Sequence, residues 1–248
     1  MFPKRSLRRG IKRKNRYSFR KPERKVHHFW WTFFWYGNCW PLSVSRKNLS
    51  VLILTIPERF KEFKRLFSLL EEQINLFNLG EKVEICALMD NRSIEIAEKR
   101  NALLAIATAD FLAFLDDDDL VANNYLFSLV KTIEDNPNVD CITFNQLCSL
   151  NGIPLEVTFG LGNPHEELVR KGNLYKPIKR PPYHVCAWKS KIAKAVKFES
   201  VHSPSGQSIE DINWVSQLYP LCKKSFHIND TLHYYIYNTE STCSIKVQ

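Results

Sequence analysis

The chain carries four consecutive carboxylates, Asp116, Asp117, Asp118 and Asp119, directly after the apolar run FLAFL at 111–115. Side by side such groups repel, so the fold that forms must offset their mutual charge. A divalent cation would do so directly, since hard ions such as Mg²⁺ or Mn²⁺ take carboxylate oxygens and keep phosphate and water as further ligands. In an extended segment alternate residues point the same way, which would let Asp116 and Asp118 share one target. A solvated acidic turn, or one Asp capping the helix that follows, would give the same run. Its position at the end of a strand-like segment favours the metal. A second acidic pair, Glu210 and Asp211, lies in SIEDINW at 208–214. Those acids could equally cap a helix, because negative charge near a helix N-terminus is favourable.

The elements that must position these acids are legible in the hydrophobic pattern. Residues 50–56, SVLILTI, form a continuous branched apolar run, as a strand buried on both faces should. Pro57 suits the first turn of a helix, where its missing N–H has no partner to lose. In that helix Phe60, Phe63, Leu66, Phe67, Leu70, Ile74 and Phe77 recur at steps of three and four, and Gly80 is the expected stop. The pattern then predicts a strand over 83–89, a helix over 93–108, a strand over 110–115, a helix over 123–135 and a strand over 139–147. Asn151-Gly152 predicts a hairpin turn. Residues 155–182, with three glycines and four prolines, read as a long loop of the kind that serves as a lid. A strand over 183–188, a helix over 209–218 and a strand over 231–237 complete the expectation. Alternating strands and helices imply parallel strands with right-handed crossovers, hence an open α/β sheet. Ligands bind such sheets beyond the carboxyl ends of the strands. The tips carrying Thr55 to Arg59, Asp90 to Arg92 and the acidic run are therefore expected to converge on one site.

The stretch AEKRNALLAIATADFLAFLDDDD at 97–119 resembles the family 2 glycosyltransferases. In that family a helix with a Lys-Arg-Asn pattern, here Lys99, Arg100 and Asn101, leads into a strand ending in an acidic motif. Phe114, Leu115, Asp116, Asp118 and Asp119 match the second part. Ala97 and Ala109 stand where glycines are usual. The resemblance spans about residues 50–237. It implies a GT-A type, Rossmann-like three-layer α/β sandwich with a mainly parallel central sheet, and an inverting sugar transfer from a nucleotide-sugar. It further implies a uridine diphosphate donor, a glycan, lipid-linked or protein-linked hydroxyl as acceptor, and a role in polysaccharide synthesis by hexosyl transfer. On the same basis Thr55, Glu58 and Arg59 lie near the base and ribose, Asp90 contacts uracil or ribose, and Arg100 lies by the diphosphate or the acidic run. Asp116 and Asp117 join the donor site, and Asp116 and Asp118 hold Mn²⁺ or Mg²⁺. Asp211 is the base and Glu210 orients acceptor or base. His233 is a candidate further metal ligand or a packed core residue. His184 and Trp188 either line the acceptor pocket or pack.

The formal charge of +9 is concentrated at one end. Residues 1–25 hold twelve basic side chains and one acid, and the remaining 223 residues net −2. Such an arm is expected to be disordered. With the aromatic segment up to residue 48 it forms a unit separate from a domain over 49–248, itself divided into a nucleotide-sugar half (49–150) and an acceptor half (151–248). The arm suits peripheral contact with anionic lipid better than nucleic acid, although a nucleic-acid binder or a nucleotidyltransferase are the competing readings. Seven scattered cysteines without a C-x-x-C pair suggest a reducing, cytoplasmic setting, peripheral at the membrane inner face.

Overall fold

The computed structural model describes residues 46–237 except residue 205, together with the backbone of a strand at Thr32–Tyr36. The basic arm, Cys39 and Cys243 lie outside the described residues. In chain order the elements begin with β1 (Thr32–Tyr36) and β2 (Leu49–Thr55), which is buried along its whole length. A single 3₁₀ turn at Pro57–Arg59 leads into α1 (Phe60–Leu76). Then come β3 (Val83–Met89), α2 (Ile96–Ile106), β4 (Phe111–Asp116), β5 (Leu120–Val121) and α3 (Tyr125–Asp135).

The second half contains the hairpin β6 (Cys141–Leu150) and β7 (Ile153–Phe159), the short pair β8 (Arg170–Lys171) and β9 (Leu174–Tyr175), and β10 (Ile178–Arg180). It ends with β11 (Ala187–Lys189), α4 (Ser190–Ala193), α5 (Glu210–Leu218) and β12 (Ser225–Tyr237).

The main sheet runs β1-β3-β2-β4-β11-β6-β12-β5. The ladders of β2 with β3, β2 with β4 and β6 with β12 are parallel. β3 and β4 flank β2 on opposite sides, so right-handed crossovers carry α1 and α2 to opposite faces. This is the expected three-layer α/β sandwich with a mainly parallel centre. On one face Gln73 of α1 donates to Ala122 O and accepts from Leu126 N–H, which locks α1 to the start of α3. On the other, Phe114 of β4 meets Phe198 and Trp214 edge-on, joining the sheet to α5.

Several expectations need correction. Helix α1 ends at Leu76, and Asn78 (φ 53°) takes the left-handed position. Leu79 N–H closes the turn on Ile74 O, so Gly80 is not the stop. The stretch 155–182 is not a plain loop, because β7 fills its start and β10 its end, paired parallel. β11 lies antiparallel between β4 and β6, a short insertion that separates two strands of the same direction. β1 pairs antiparallel with β3, so Thr32–Tyr36 of the aromatic segment belongs to the main sheet. The Asn151-Gly152 hairpin forms as expected, with both φ values positive (50° and 80°).

One buried acid fixes where β4 starts. Glu84 on β3, 1% exposed, accepts from Ser50 Oγ at 2.6 Å and from the Thr108 hydroxyl at 2.9 Å. It ties the α2–β4 connection to the neighbouring strands, so the tip of β4 is set from below.

Candidate active site

The acidic run does not continue β4 as an extended strand. Asp119 N–H donates to Asp116 O at 3.0 Å, and Asp116 N–H donates back to Asp119 Oδ2 at 2.8 Å, closing a turn. Alternation ends at Asp116, so the shared direction expected for Asp116 and Asp118 does not arise from strand geometry. The turn sorts the four carboxylates into two pairs. Asp117 and Asp118 both meet Arg59 Nη2, at 2.7 and 2.5 Å, while Asp116 and Asp119 face a cavity. Arg65 from α1 donates to Asp118 O at 2.9 Å and braces the turn.

Charge repulsion within the run is offset by two guanidinium groups from other elements, and a histidine stands against Asp119. Arg59 supplies one. Arg100 of α2, 2% exposed, holds Asp116 Oδ1 at 3.5 Å and Glu210 Oε1 at 3.2 Å, its guanidinium lying over Phe114 and Phe198. Burial alone would lower the Arg100 pKa, but Asp116, Glu210 and Asp211 outweigh it, and the group stays charged. His233 of β12 places Nε2 3.0 Å from Asp119 Oδ2, without hydrogen-bond geometry, and its Nδ1 takes Gln146 Nε2 at 2.7 Å. A shift of register in β12 around residues 228–233 accompanies this inward placement. Asp117 itself is buried, and that burial pushes its carboxyl up to about 6 against the pull of Arg59.

Asp211 lies in the first turn of α5 and faces the same cavity as Asp116. His184 stands between them, with Nε2 3.9 Å from Asp116 Oδ2 and Nδ1 3.4 Å from Asp211 Oδ2. Tyr183 donates its hydroxyl to Asp211 Oδ2 at 2.5 Å. Burial would raise the Asp211 pKa, yet His184, Arg100 and Tyr183 together hold it well below the usual carboxylate range. Burial, reinforced by Asp211, pushes the Tyr183 phenol far up, so it remains a donor. Asp211 is therefore an ionised acceptor at neutral pH, 17% exposed toward the cavity.

Other expected residues lie elsewhere. Glu210 is 3% exposed, occupied by Arg100 and the Ser208 hydroxyl, and does not line the cavity, so it cannot touch an acceptor there. Asp90, 2% exposed, is ion-paired with Lys99 and caps Ile94 N–H at 3.0 Å. Lys99 also donates to Thr55 O at 2.9 Å. Thr55 and Asp90 are thus tied through Lys99 into one buried knot. Glu58 and Arg92 stay on the surface nearby, 3.9 Å apart. Trp188 is fully buried against Trp214 and Tyr219, a core residue and not a pocket wall. His184 does line the cavity. Tyr183 and Gln146 were not singled out in the sequence, because their partners are remote in the chain.

Among the described residues no three His, Cys, Asp or Glu side chains are arranged to hold a metal ion. Asp116 and Asp118 present hard oxygen donors that are 40% and 55% exposed. Asp116 offers its oxygens to a cation that brings phosphate and water ligands with it, as Mg²⁺ and Mn²⁺ do, and Asp118 would join by exchanging Arg59 for the ion.

The cavity of about 370 Å³ runs from Asp116, Asp119 and His233 past His184 to Asp211. Among the described residues no helix is long and apolar enough to cross a membrane.

Comparison with known proteins bears on this arrangement. The model of a family described as glycosyl transferase family 2 matches residues 68–194. Among solved structures, TarS 1–349 of S. aureus matches with a TM-score of 0.51 at 16% identity, over 76% of this chain and 60% of that one. The same TarS fragment in complex with UDP-GlcNAc matches with a TM-score of 0.47 at 15% identity, over 77% and 59%. The chain thus spans about three fifths of the length of the TarS fragment, and at this identity the likeness concerns the fold. No curated protein sequence matches the chain.

Proposed function

The chain belongs to glycosyl transferase family 2, and from that premise we propose that it moves a sugar from a nucleoside diphosphate donor to a hydroxyl held in the cavity, with inversion. The observation that carries this reading is that His184 lies 3.9 Å from Asp116 Oδ2 and 3.4 Å from Asp211 Oδ2, with both carboxylates lining one cavity.

Asp211 takes the acceptor hydroxyl proton as that oxygen attacks the anomeric carbon. The new bond joins the acceptor oxygen to the anomeric carbon. The bond from that carbon to the β-phosphate oxygen breaks, and the nucleoside diphosphate leaves with the electron pair. Tyr183 and His184 orient Asp211, while Glu210 acts one step back by holding Arg100 against Asp116. Asp116 and Asp118 would hold Mn²⁺ or Mg²⁺, which supplies neutralisation of the charge on the departing diphosphate. Asp117 joins this side of the site by fixing Arg59. The nucleoside rests against Glu58, Arg59 and Arg92, on a floor kept in place by Thr55, Asp90 and Lys99. The donor is read as a uridine diphosphate sugar, as the family resemblance implies. The acceptor is a glycan, lipid-linked or protein-linked hydroxyl. Donor functions fall in 49–150 and acceptor functions in 151–248. The basic N-terminus is assigned peripheral contact with an anionic membrane face on its charge alone.

A donor screen with Mn²⁺ or Mg²⁺, following nucleoside diphosphate release, tests the reading. Release from at least one sugar nucleotide, lost in Asp118→Ala and Asp211→Asn, supports it. Equal turnover in wild type and both variants rejects these roles.

A further inference from the structure

The acceptor side of the cavity does not have the walls of a site for a free sugar. Beyond the polar end at Asp116, His184 and Asp211 its lining is largely apolar. β7 contributes Leu155, Val157 and Phe159 by strict alternation, and β10 adds Ile178. The apolar lining does not stop inside. At the mouth Leu168 and Ile212 are each 50% exposed, side chains that a stand-alone domain would gain nothing by presenting to water around its own substrate cavity.

One cation interrupts this wall. Arg180 lines the cavity beside Phe159, its register partner on β7, and its Nη1 is buried with no hydrogen-bond partner among the described residues. Burial lowers the Arg180 pKa more than Glu166 raises it, as for a guanidinium short of counter-charge. A buried donor of this kind is costly to leave unpaired, and an anionic oxygen is its natural complement. Arg180 precedes Tyr183 by three residues, so the two Cα atoms lie within roughly 10 Å of one another even along an extended chain.

We infer that the cavity selects an amphiphilic acceptor, with its hydroxyl at Asp211, an alkyl or aryl body against the β7–β10 wall and the Leu168–Ile212 mouth, and an anionic group such as a phosphate ester on Arg180. This rests on the reading of Asp211 as the acceptor-side base, and it adds the substrate class.

Direct binding, without donor or turnover, separates the two. Octyl phosphate, octyl glucoside and inorganic phosphate, each below any micellar concentration, are titrated into the full chain. Octyl phosphate is expected to bind at least tenfold more tightly than either of the others. Arg180→Met should bring octyl phosphate down to the level of octyl glucoside. Leu168→Ser combined with Ile212→Ser, both at half-exposed positions, should weaken both octyl compounds at least tenfold. Inorganic phosphate binding as tightly as octyl phosphate would overturn the inference, as would an Arg180→Met chain that still distinguishes the two octyl compounds. Neither result would touch donor hydrolysis, which the proposed function stands on.

Discussion

His184 Nδ1 lies 3.4 Å from Asp211 Oδ2, on the carboxylate oxygen that also accepts the Tyr183 hydroxyl. The base is therefore not a bare surface acid at a helix start. It is held ionised by partners from the segment that precedes β11, and a change in those partners should be read out in its titration.

Replacing His184 with Gln removes the largest of the influences that pull the Asp211 pKa down, while burial, which raises it, stays. A carboxylate with a lowered pKa is active above that pKa and lost as pH falls through it. The acid limb of the kcat/KM profile should therefore move to higher pH in His184→Gln, with activity at neutral pH reduced roughly 10- to 100-fold. An unshifted acid limb would show that His184 does not act through Asp211.

Glu210 and Asp211 are neighbours with different burdens, and turnover separates them. Glu210→Gln leaves Arg100 buried against a neutral amide, and urea unfolding should show a loss of about 1–3 kcal/mol. Asp211→Asn should lose stability as well, because the partners that hold its carboxylate ionised favour the folded state, and should in addition lose about 10²- to 10⁴-fold in kcat. Measuring both variants by both assays checks the division.

Metal dependence should follow the exposed acid. Chelation with EDTA is expected to abolish nucleoside diphosphate release. Asp118→Ala, assayed over a Mn²⁺ series, should need at least about tenfold more metal for half-maximal release, since one hard oxygen ligand is gone.

The five described cysteines, Cys86, Cys141, Cys148, Cys186 and Cys222, are buried and free, and burial pushes the thiols of Cys86, Cys148 and Cys222 up to about 12. A thiol that is both covered and protonated is unreactive. Mass-spectrometric mapping after Ellman's reagent at pH 8 should find these five unmodified until denaturant is added.

Much of this arrangement was legible in the chain, and the failures have physical causes. The branched run of β2 and the three-and-four spacing of α1 reported themselves, because burial on two faces and on one stripe leave distinct periods. The order of strands and helices then implied that the tips at Thr55, Asp90 and Asp116 share an edge. Three features depend on contacts remote in sequence. β11 has three residues, too few for a period, and its place between β4 and β6 is decided by pairing alone. The acids at 116–119 turn back on themselves through Asp119, which strand alternation could not foresee. Asp90 looked free in the sequence because Lys99, nine residues on, returns to it only once α2 has formed. Asn78 stands in for Gly80 at the end of α1 because Asn tolerates a left-handed backbone, and the connection to β3 turns two residues early.

The most direct test of the account is calorimetric titration of a uridine diphosphate sugar, with Mn²⁺, into wild type, Asp118→Ala and Asp211→Asn, followed by a transfer assay on the same samples. The account predicts that Asp211→Asn binds donor as wild type does and transfers almost nothing, whereas Asp118→Ala loses donor affinity. Loss of donor affinity in Asp211→Asn, or undiminished transfer by it, would contradict the assignment of donor binding and base to separate residues of one cavity.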